Sequence, residues 1–366
     1  MAHASKRPGT GVRVVVTGAS GNVGTGVLRA LAADPEVASV TAVARRPPRW
    51  QPEGTHWLST DIGRERASEA LTEAFRGADA VIHLAWLMQP SHAPAITWRT
   101  NVLGTERVLR AVAAAGVPAV AVASSVAAYS PRDAADPDRP VDESWPTHGW
   151  PTAAYSREKA YVERLLDIFE EAHPAVRVVR MRSAFVFQQQ AAMEQRRLFA
   201  GPLLPNRLLR PGVVPFVPDV PGLRFQAVHT DDVADAFARA VHRPVRGAFN
   251  LAGEQPLDAA ELAKLLEART VRVPELPVRS LLAAAWRLRM VPASPQLFDT
   301  LLRLPLLATG RAREELDWQP HRTGPQAVAA LLCGLRHGSG GPTPTLRSGS
   351  AADRLDEAAT GVGGRP

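Results

Sequence analysis

Tyr155 and Lys159 are the two residues whose types and spacing have most to offer chemically. The chain has three Tyr, and only Lys6, Lys159 and Lys264 among its 43 basic Lys and Arg residues are Lys. A chain that writes nearly every positive charge as Arg keeps a Lys four residues after a Tyr. On a helix, positions i and i+4 share one face, a turn apart. A phenol has a reference pKa of about 10, so it exchanges protons poorly at neutral pH. A neighbouring ammonium favours the phenolate and lowers that value. The pair therefore offers Tyr155 as an acid–base group near pH 7. The same spacing also fits a Tyr ring packed over a Lys stem, so the choice depends on what the rest of the chain would place around it.

The elements needed to position such a pair are legible upstream. Val12–Thr17 is a run of mostly β-branched residues, the pattern of a strand buried on both faces. It leads into Gly18-Ala19-Ser20-Gly21-Asn22-Val23-Gly24 and then a helical pattern over 27–33. Glycines between a strand and a helix allow a tight turn, and they let a pyrophosphate sit on the helix N-terminus, where free N–H groups and the helix dipole favour an anion. A second strand, expected over 39–44, ends in Arg45-Arg46, with no Asp or Glu between Glu36 and Glu53. At this point a dinucleotide fold carries an acid for a ribose 2′-hydroxyl or an Arg for a 2′-phosphate. Arg45 and Arg46 thus favour NADP over NAD, with NAD kept open.

Further alternation follows: strands over 56–58, 80–85 and 117–123, helices over 65–76, 97–115 and 152–172, and a strand over 176–181. Regular alternation implies a parallel, doubly wound sheet with ligands off the carboxyl ends of its strands. Gly18, Arg45, Asp61, His83 and Ser125 all fall at such ends. Beyond 183 the pattern breaks. Residues 183–225 are rich in Pro, Arg and Leu without a clear period, and 226–251 reads as strand, helix and strand. The expected division is a dinucleotide-binding domain over 12–182, with 226–252 returning to it, and a substrate lobe from 183–225 and 253–337. Residues 1–11 and the Gly-, Ser- and Pro-rich stretch 338–366 are expected to be disordered.

Composition narrows the function classes. With 366 residues and 45% apolar content the chain suits one large α/β domain with a smaller lobe. A single Cys, Cys333, excludes an intramolecular disulfide and fits a reducing, cytoplasmic setting. No run approaches a membrane span or the apolar part of a signal peptide. The net charge of +7 is spread along the chain and gives no nucleic-acid footprint. Its densest basic stretch, Arg196, Arg197, Arg207 and Arg210, reads as a solvated loop or as a pocket for an anionic substrate. The ten His are scattered without metal-ligand spacing, so no metal is expected.

Taken together, these pieces resemble the extended short-chain dehydrogenase/reductase family, also called the NAD-dependent epimerase/dehydratase family. The matching residues are the loop from Thr17 to Gly24, Asp61-Ile62, His83-Leu84-Ala85, Asn101-Val102-Leu103-Gly104-Thr105 and Ser124-Ser125 with Tyr129. They continue with Tyr155 to Lys159, Arg182, the run from His229 to Val233, Asn250-Leu251-Ala252-Gly253, and the run from Ala312 to Pro320. The resemblance covers roughly residues 12–335. It implies an α/β fold, a Rossmann-type doubly wound parallel sheet with a smaller, mostly helical C-terminal lobe.

It also implies roles. Gly18, Ser20, Gly21, Asn22, Val23 and Gly24 would hold the pyrophosphate, and Asp61 with Ile62 the adenine. Leu84, Ala85, Trp86 and Ser124 would lie along the cofactor. Ser125 would bond the substrate oxygen, Tyr155 would be the acid–base, and Lys159 would bind the nicotinamide ribose and lower the Tyr pKa. Asn101 would support them. The resemblance further implies a homodimer built from the 97–115 helix and the Tyr155 helix. The expected activity is hydride transfer between a nicotinamide and a carbonyl or alcohol.

Three departures bear on the reaction. Val126-Ala127 stands where the family's dehydratases carry an acidic pair, and Ser183-Ala184-Phe185 lacks the Asn common after Arg182 in its sugar-nucleotide epimerases. The presumed pocket segments also supply Trp86, Leu87, Met88, Trp98, Phe185 and Phe187, which together with the missing Asn lean the reading towards a smaller or more apolar carbonyl or alcohol. Epimerisation and a non-catalytic NADP-binding role remain the alternatives.

Overall fold

Val14, Val15 and Val16 set the layering. In strand β1 (Val12–Thr17) successive side chains point to opposite faces. Val14 and Val16 pack on one side with Val27, Leu28 and Leu31 of helix α1 (Asn22–Ala32), and with Val233 and Phe237 of the helix Thr230–His242. Val15 packs on the other side with Val108 and Val112 of α3 (Pro94–Ala114) and Val162 and Leu166 of α4 (Ala154–Ala172). A strand that must satisfy two apolar layers has no polar face, which is why its sequence does not alternate. The structure, a computed structural model, describes residues 11–349 together with Glu357 and Val362, without the Arg207 side chain.

The sheet has seven parallel strands. In spatial order they are Gly247–Leu251, Arg177–Ser183, β5 (Ala119–Ser125), β4 (Ala80–His83), β1, β2 (Val37–Ala44) and β3 (Thr55–Ser59). Helix α2 (Ala67–Phe75) carries the chain back from β3 to β4. The chain winds from β1 outward to β3, then crosses to β4 on the other side of β1. The reversal opens a crevice above the carboxyl ends of β1 and β4, where open α/β sheets take their ligands.

The C-terminal region is mainly helical, with Ala259–Leu266, Glu275–Arg287, Pro295–Leu301, Gly310–Leu316 and Gly324–His337. It is tied to the sheet by Trp318, which is buried and donates its indole N–H to the carbonyl of Asp232 at 2.7 Å. The carboxylate of Asp232 accepts from the backbone N–H groups of His321 and Arg322.

The disorder expected from Gly338 onward is not met as far as 349. Gly338, in the left-handed region at φ 63°, ends the helix Gly324–His337, and the chain turns back. Thr343 and Leu346 are buried. Arg197 donates to the carbonyls of Thr345 and Arg347. Two hydroxyls and one leucine, spaced by Gly and Pro, carry too little periodicity to announce a docked segment. Residues 1–10, and most of those past 349, lie outside the described set.

Candidate active site

Tyr155 stands in the first turn of α4 and Lys159 one turn further on. The Ser125 side chain, on the last residue of β5, stands near enough to the Tyr155 hydroxyl to act on its ionisation. Ser125 Oγ in turn accepts from the N–H of Ala127 at 3.2 Å, which fixes its rotamer at the strand end. The three residues expected to do the chemistry are therefore brought together by one strand end and one helix start.

The electrostatics differ from the expectation. Burial raises the Tyr155 pKa above the ordinary phenol value, against the bond from Ser125 and with the charge of Glu158 adding to the rise. Lys159 does not offset this, because burial also pushes its own ammonium down to about 7, with Glu163 and Glu158 acting in the opposite sense. Its Nζ donates to the carbonyl of Ala123 at 2.7 Å and lies 3.5 Å from the ring centroid of Trp86.

Trp86 is the hinge of this arrangement. Its ring meets Tyr155 edge-on, with centroids 5.8 Å apart at 81°. Its indole N–H is buried and has no hydrogen-bond partner among the described residues. An orphaned donor beside Lys159 is a contact available to a bound group.

Asn101, expected as a support, acts through the backbone. Its Oδ1 accepts from Leu87 N at 2.7 Å and its Nδ2 donates to Leu87 O at 2.9 Å and to Glu158 at 2.6 Å. It thus holds the chain just past Trp86 to α3 and α4.

The glycine turn is built for an anion. Gly18 has φ 73°, and a Cβ there would come within 2.5 Å of the Ala85 backbone. At Gly24 a Cβ would come within 2.4 Å of Gly18 O, whereas at Gly21 the nearest atom would be 3.6 Å away. Two glycines close the turn and the third leaves room at its crest. Gly21 is also the N-cap of α1, and that helix has no side-chain cap and no acidic residue in its first turn. Uncapped N–H groups under an open crest suit a pyrophosphate.

Not every residue assigned to the cofactor faces it. The Asn22 side chain donates to Val186 O at 2.9 Å and accepts from Gln188 and Thr230 at 2.9 and 2.8 Å, so only its backbone remains for a phosphate. Val23 packs on the core, and Ser20 bonds to Thr343 and Thr345. Asp61 accepts from Gly63 N at 3.1 Å at the end of β3, and Ile62 is buried against Gly104. Leu84 continues the β1–β4 pairing by donating to Thr17 O. Arg45 and Arg46 follow β2 directly, Arg46 exposed. His83 lies between Thr17 Oγ1 at 2.6 Å and Thr105 Oγ1 at 2.9 Å, and burial holds its pKa down at about 3, with the charge of Lys159 adding to the fall. It is a neutral structural group.

Sequence reasoning missed two carboxylates. Glu163 accepts from Ser124 Oγ at 2.6 Å and from Arg182 Nε and Nη2, both at 2.9 Å. Arg182 also donates to Tyr129 Oη, which donates to Asn250. This buried net fastens α4 to the strand that carries Ser125. Its one sequence signal is spacing, since Glu163 stands four residues after Lys159. Glu158 had no signal beyond its place inside the motif.

The basic stretch is not an open pocket. Arg196 is buried, donates to Gly201 O and pairs with Glu357, while Arg197 meets the 345–347 backbone. Among the described residues no group of three or more His, Cys, Asp or Glu converges as a metal site, and no helix is long and apolar enough to cross a membrane.

A parallel doubly wound sheet with an anion-ready glycine turn and a Ser–Tyr–Lys constellation beside it defines a nicotinamide-dinucleotide enzyme. The profile of the NAD dependent epimerase/dehydratase family matches residues 14–252, and the chain belongs to that family. Its relatives include the L-arabinose 1-dehydrogenase (NAD(P)(+)) of Haloferax volcanii, 31% identical over 192 residues, which are 50% of this chain and 70% of that one. A 4-hydroxy-2-methyl-3-oxo-4-farnesyl-3,4-dihydroquinoline-1-oxide ketoreductase from Stigmatella aurantiaca is 32% identical over 176 residues, 48% of this chain and 51% of that protein. An uncharacterised Mycobacterium bovis protein is 27% identical over 80% of this chain, which spans only 27% of its length. The UDP-glucose 4-epimerase of Thermotoga maritima shares the fold, with a TM-score of 0.66 at 18% identity over 89% of this chain and 99% of that one. Family and relatives make the chain an NAD(P)-dependent oxidoreductase or epimerase.

Proposed function

We propose that the chain transfers hydride between a nicotinamide and a small carbonyl or alcohol, with Tyr155 as the acid–base group. The observation that carries this reading is the placement of Ser125, at the end of β5, beside Tyr155 in the first turn of α4, with Lys159 one turn along the same helix. The nicotinamide, when bound, supplies the hydride chemistry. Ser125 donates to the substrate oxygen and fixes its position. Tyr155 delivers the proton to that oxygen in reduction and removes it in oxidation. Lys159 and the orphaned Trp86 N–H are the donors that hold the ribose end. Gly18, Gly21 and Gly24 hold the pyrophosphate, and Asp61 with Ile62 the adenine end.

NADP is the preferred cofactor in this reading, because Arg45 and Arg46 follow β2 in a stretch of sequence with no Asp or Glu between Glu36 and Glu53. The relatives that oxidise arabinose or reduce a ketone support a redox reaction over epimerisation. The engagement of Arg196 and Arg197 within the chain weighs against a diphosphate subsite there. A cytoplasmic homodimer completes the proposal, supported by Leu103, Tyr161 and Ile168, which stand exposed on α3 and α4. The test is a screen of aldehydes, ketones, sugars and sugar nucleotides, following NADPH absorbance with the wild type and Tyr155→Phe side by side. Turnover of a sugar nucleotide without net absorbance change would favour the epimerase.

A further inference from the structure

Beside Tyr155 lies a narrow cavity of about 50 Å³, walled by residues 87–89, the start of α4, and Pro292, Ser294 and Leu297 of the helical region. Apart from Tyr155, its one ionisable wall residue is Glu158, and neither Lys nor Arg lines it. Glu158 is 3% exposed. One carboxyl oxygen is 2.6 Å from Thr97 Oγ1 and the other is 2.6 Å from Asn101 Nδ2. Asn101 Nδ2 can only donate, as to a carboxylate, while the Thr97 hydroxyl has one proton for Glu158 and for Pro94 O, 2.9 Å away. Each oxygen keeps a further lone pair for a ligand hydroxyl. Burial raises the Glu158 pKa, with the bonds from Thr97 and Asn101 and the charges of Arg157 and Lys159 acting against the rise.

We propose that Glu158 is a specificity-determining residue, which makes the cavity a site for an uncharged, hydroxyl-bearing carbonyl or alcohol and rejects analogues bearing a carboxylate or phosphate. The inference rests on the redox reading of the same site. An anion entering this cavity loses its water, meets no cation and faces a like charge. A neutral carbonyl with few atoms and a hydroxyl, the size this cavity admits, loses less and gains an acceptor. Buried polar groups left without partners are what give a pocket strong discrimination. No motif announced this, because Glu158 is a single residue between Arg157 and Lys159, and the cavity is completed by segments more than a hundred residues away.

The test uses matched pairs, each a neutral aldehyde, ketone or aldose and its carboxylate analogue, at pH 8 with the wild type and Glu158→Gln. The glutamine amide donates to Thr97 Oγ1 and accepts from Asn101, so shape and bonding persist while the charge is gone. The wild type is expected to favour the neutral member at least 100-fold in kcat/KM. The variant is expected to shrink that ratio at least tenfold, chiefly through the KM of the anion. An unchanged ratio overturns the assignment and leaves the redox reading standing. Leu297→Arg, which places a cation in the cavity wall without touching the Glu158 bonds, should shrink the ratio too and guards against a misfolded glutamine variant.

Saturation-transfer NMR on the same pairs reads the cavity without turnover. The neutral member should bind the wild type, and the carboxylate only the variants. If nothing is turned over, the redox reading falls while this binding arm still decides the role of Glu158. Equal binding of both members to the wild type, or of neither to any of the proteins, overturns it.

Discussion

Thr343 donates its hydroxyl to the backbone carbonyl of Ser20 at 2.7 Å, and so the last described stretch of the chain lies against the glycine turn near its beginning. Ser20 Oγ is also 3.2 Å from Thr345 Oγ1, and Leu346 is fully buried. Strap and cofactor pyrophosphate therefore call on the same turn. Deleting residues 339–366 should lower the melting temperature. Burying a leucine contributes about 1.5–3 kcal/mol, and each kcal/mol moves Tm by about 1–2 °C in a chain of this length. The same deletion should tighten NADPH binding in a fluorescence titration. An unchanged Kd would show that the strap does not compete.

Tyr155→Phe removes one hydroxyl and keeps the ring that meets Trp86 edge-on. Turnover should fall by about 10²–10⁴-fold, the usual worth of a positioned acid–base group. Cofactor Kd should stay within about threefold, since Trp86 and Lys159 are untouched. Near-wild-type turnover would reject Tyr155 as the proton carrier.

In the proposed reading, cofactor choice turns on Arg45 and Arg46. Replacing both with Ala should weaken NADPH about tenfold or more, as expected for the loss of charge-assisted bonds to a phosphate. NADH affinity should change little. Parallel titrations of both cofactors check this, and equal losses for the two would assign the arginines to something other than a 2′-phosphate.

Glu163 should give the protein an acid-sensitive component of stability. Burial alone would raise its pKa, but the bonds and charge of Arg182, the Ser124 hydroxyl and the charge of Arg180 outweigh it and bring it to about 2. A folded-state value below the unfolded one of about 4.5 contributes stability above pH 4.5, which is lost as the pH falls towards 2. The size is about 3 kcal/mol, by conversion of that difference. Glu163→Gln should flatten the stability curve between pH 2 and 4.5 and cost stability at pH 7, because it leaves Arg182 buried without its carboxylate. Urea unfolding across that pH range reads both effects.

The sequence alone determined the sheet, the glycine turn and the Ser–Tyr–Lys set, because each follows from local rules. A β-branched run buried on both faces, glycines at a strand–helix junction, and i to i+4 spacing on a helix need no partner from elsewhere in the chain. Most boundaries in the sheet domain moved by three residues or fewer, as with α3, which starts at Pro94 where 97 was expected, whereas α1 starts at Asn22, five residues before the expected 27. Tertiary structure alone decided the charge state of the site and the shape of its pocket. Lys159 was expected to lower the Tyr155 pKa, but the fold buries both groups and seats the ammonium on Trp86, and desolvation is set by everything packed around a group rather than by its neighbours in sequence. The same holds for Glu163, which meets Arg182 across 19 residues, and for Thr343, which meets Ser20 across 323. Contacts at such separations leave no period or spacing to read, so they became visible only once the chain was folded.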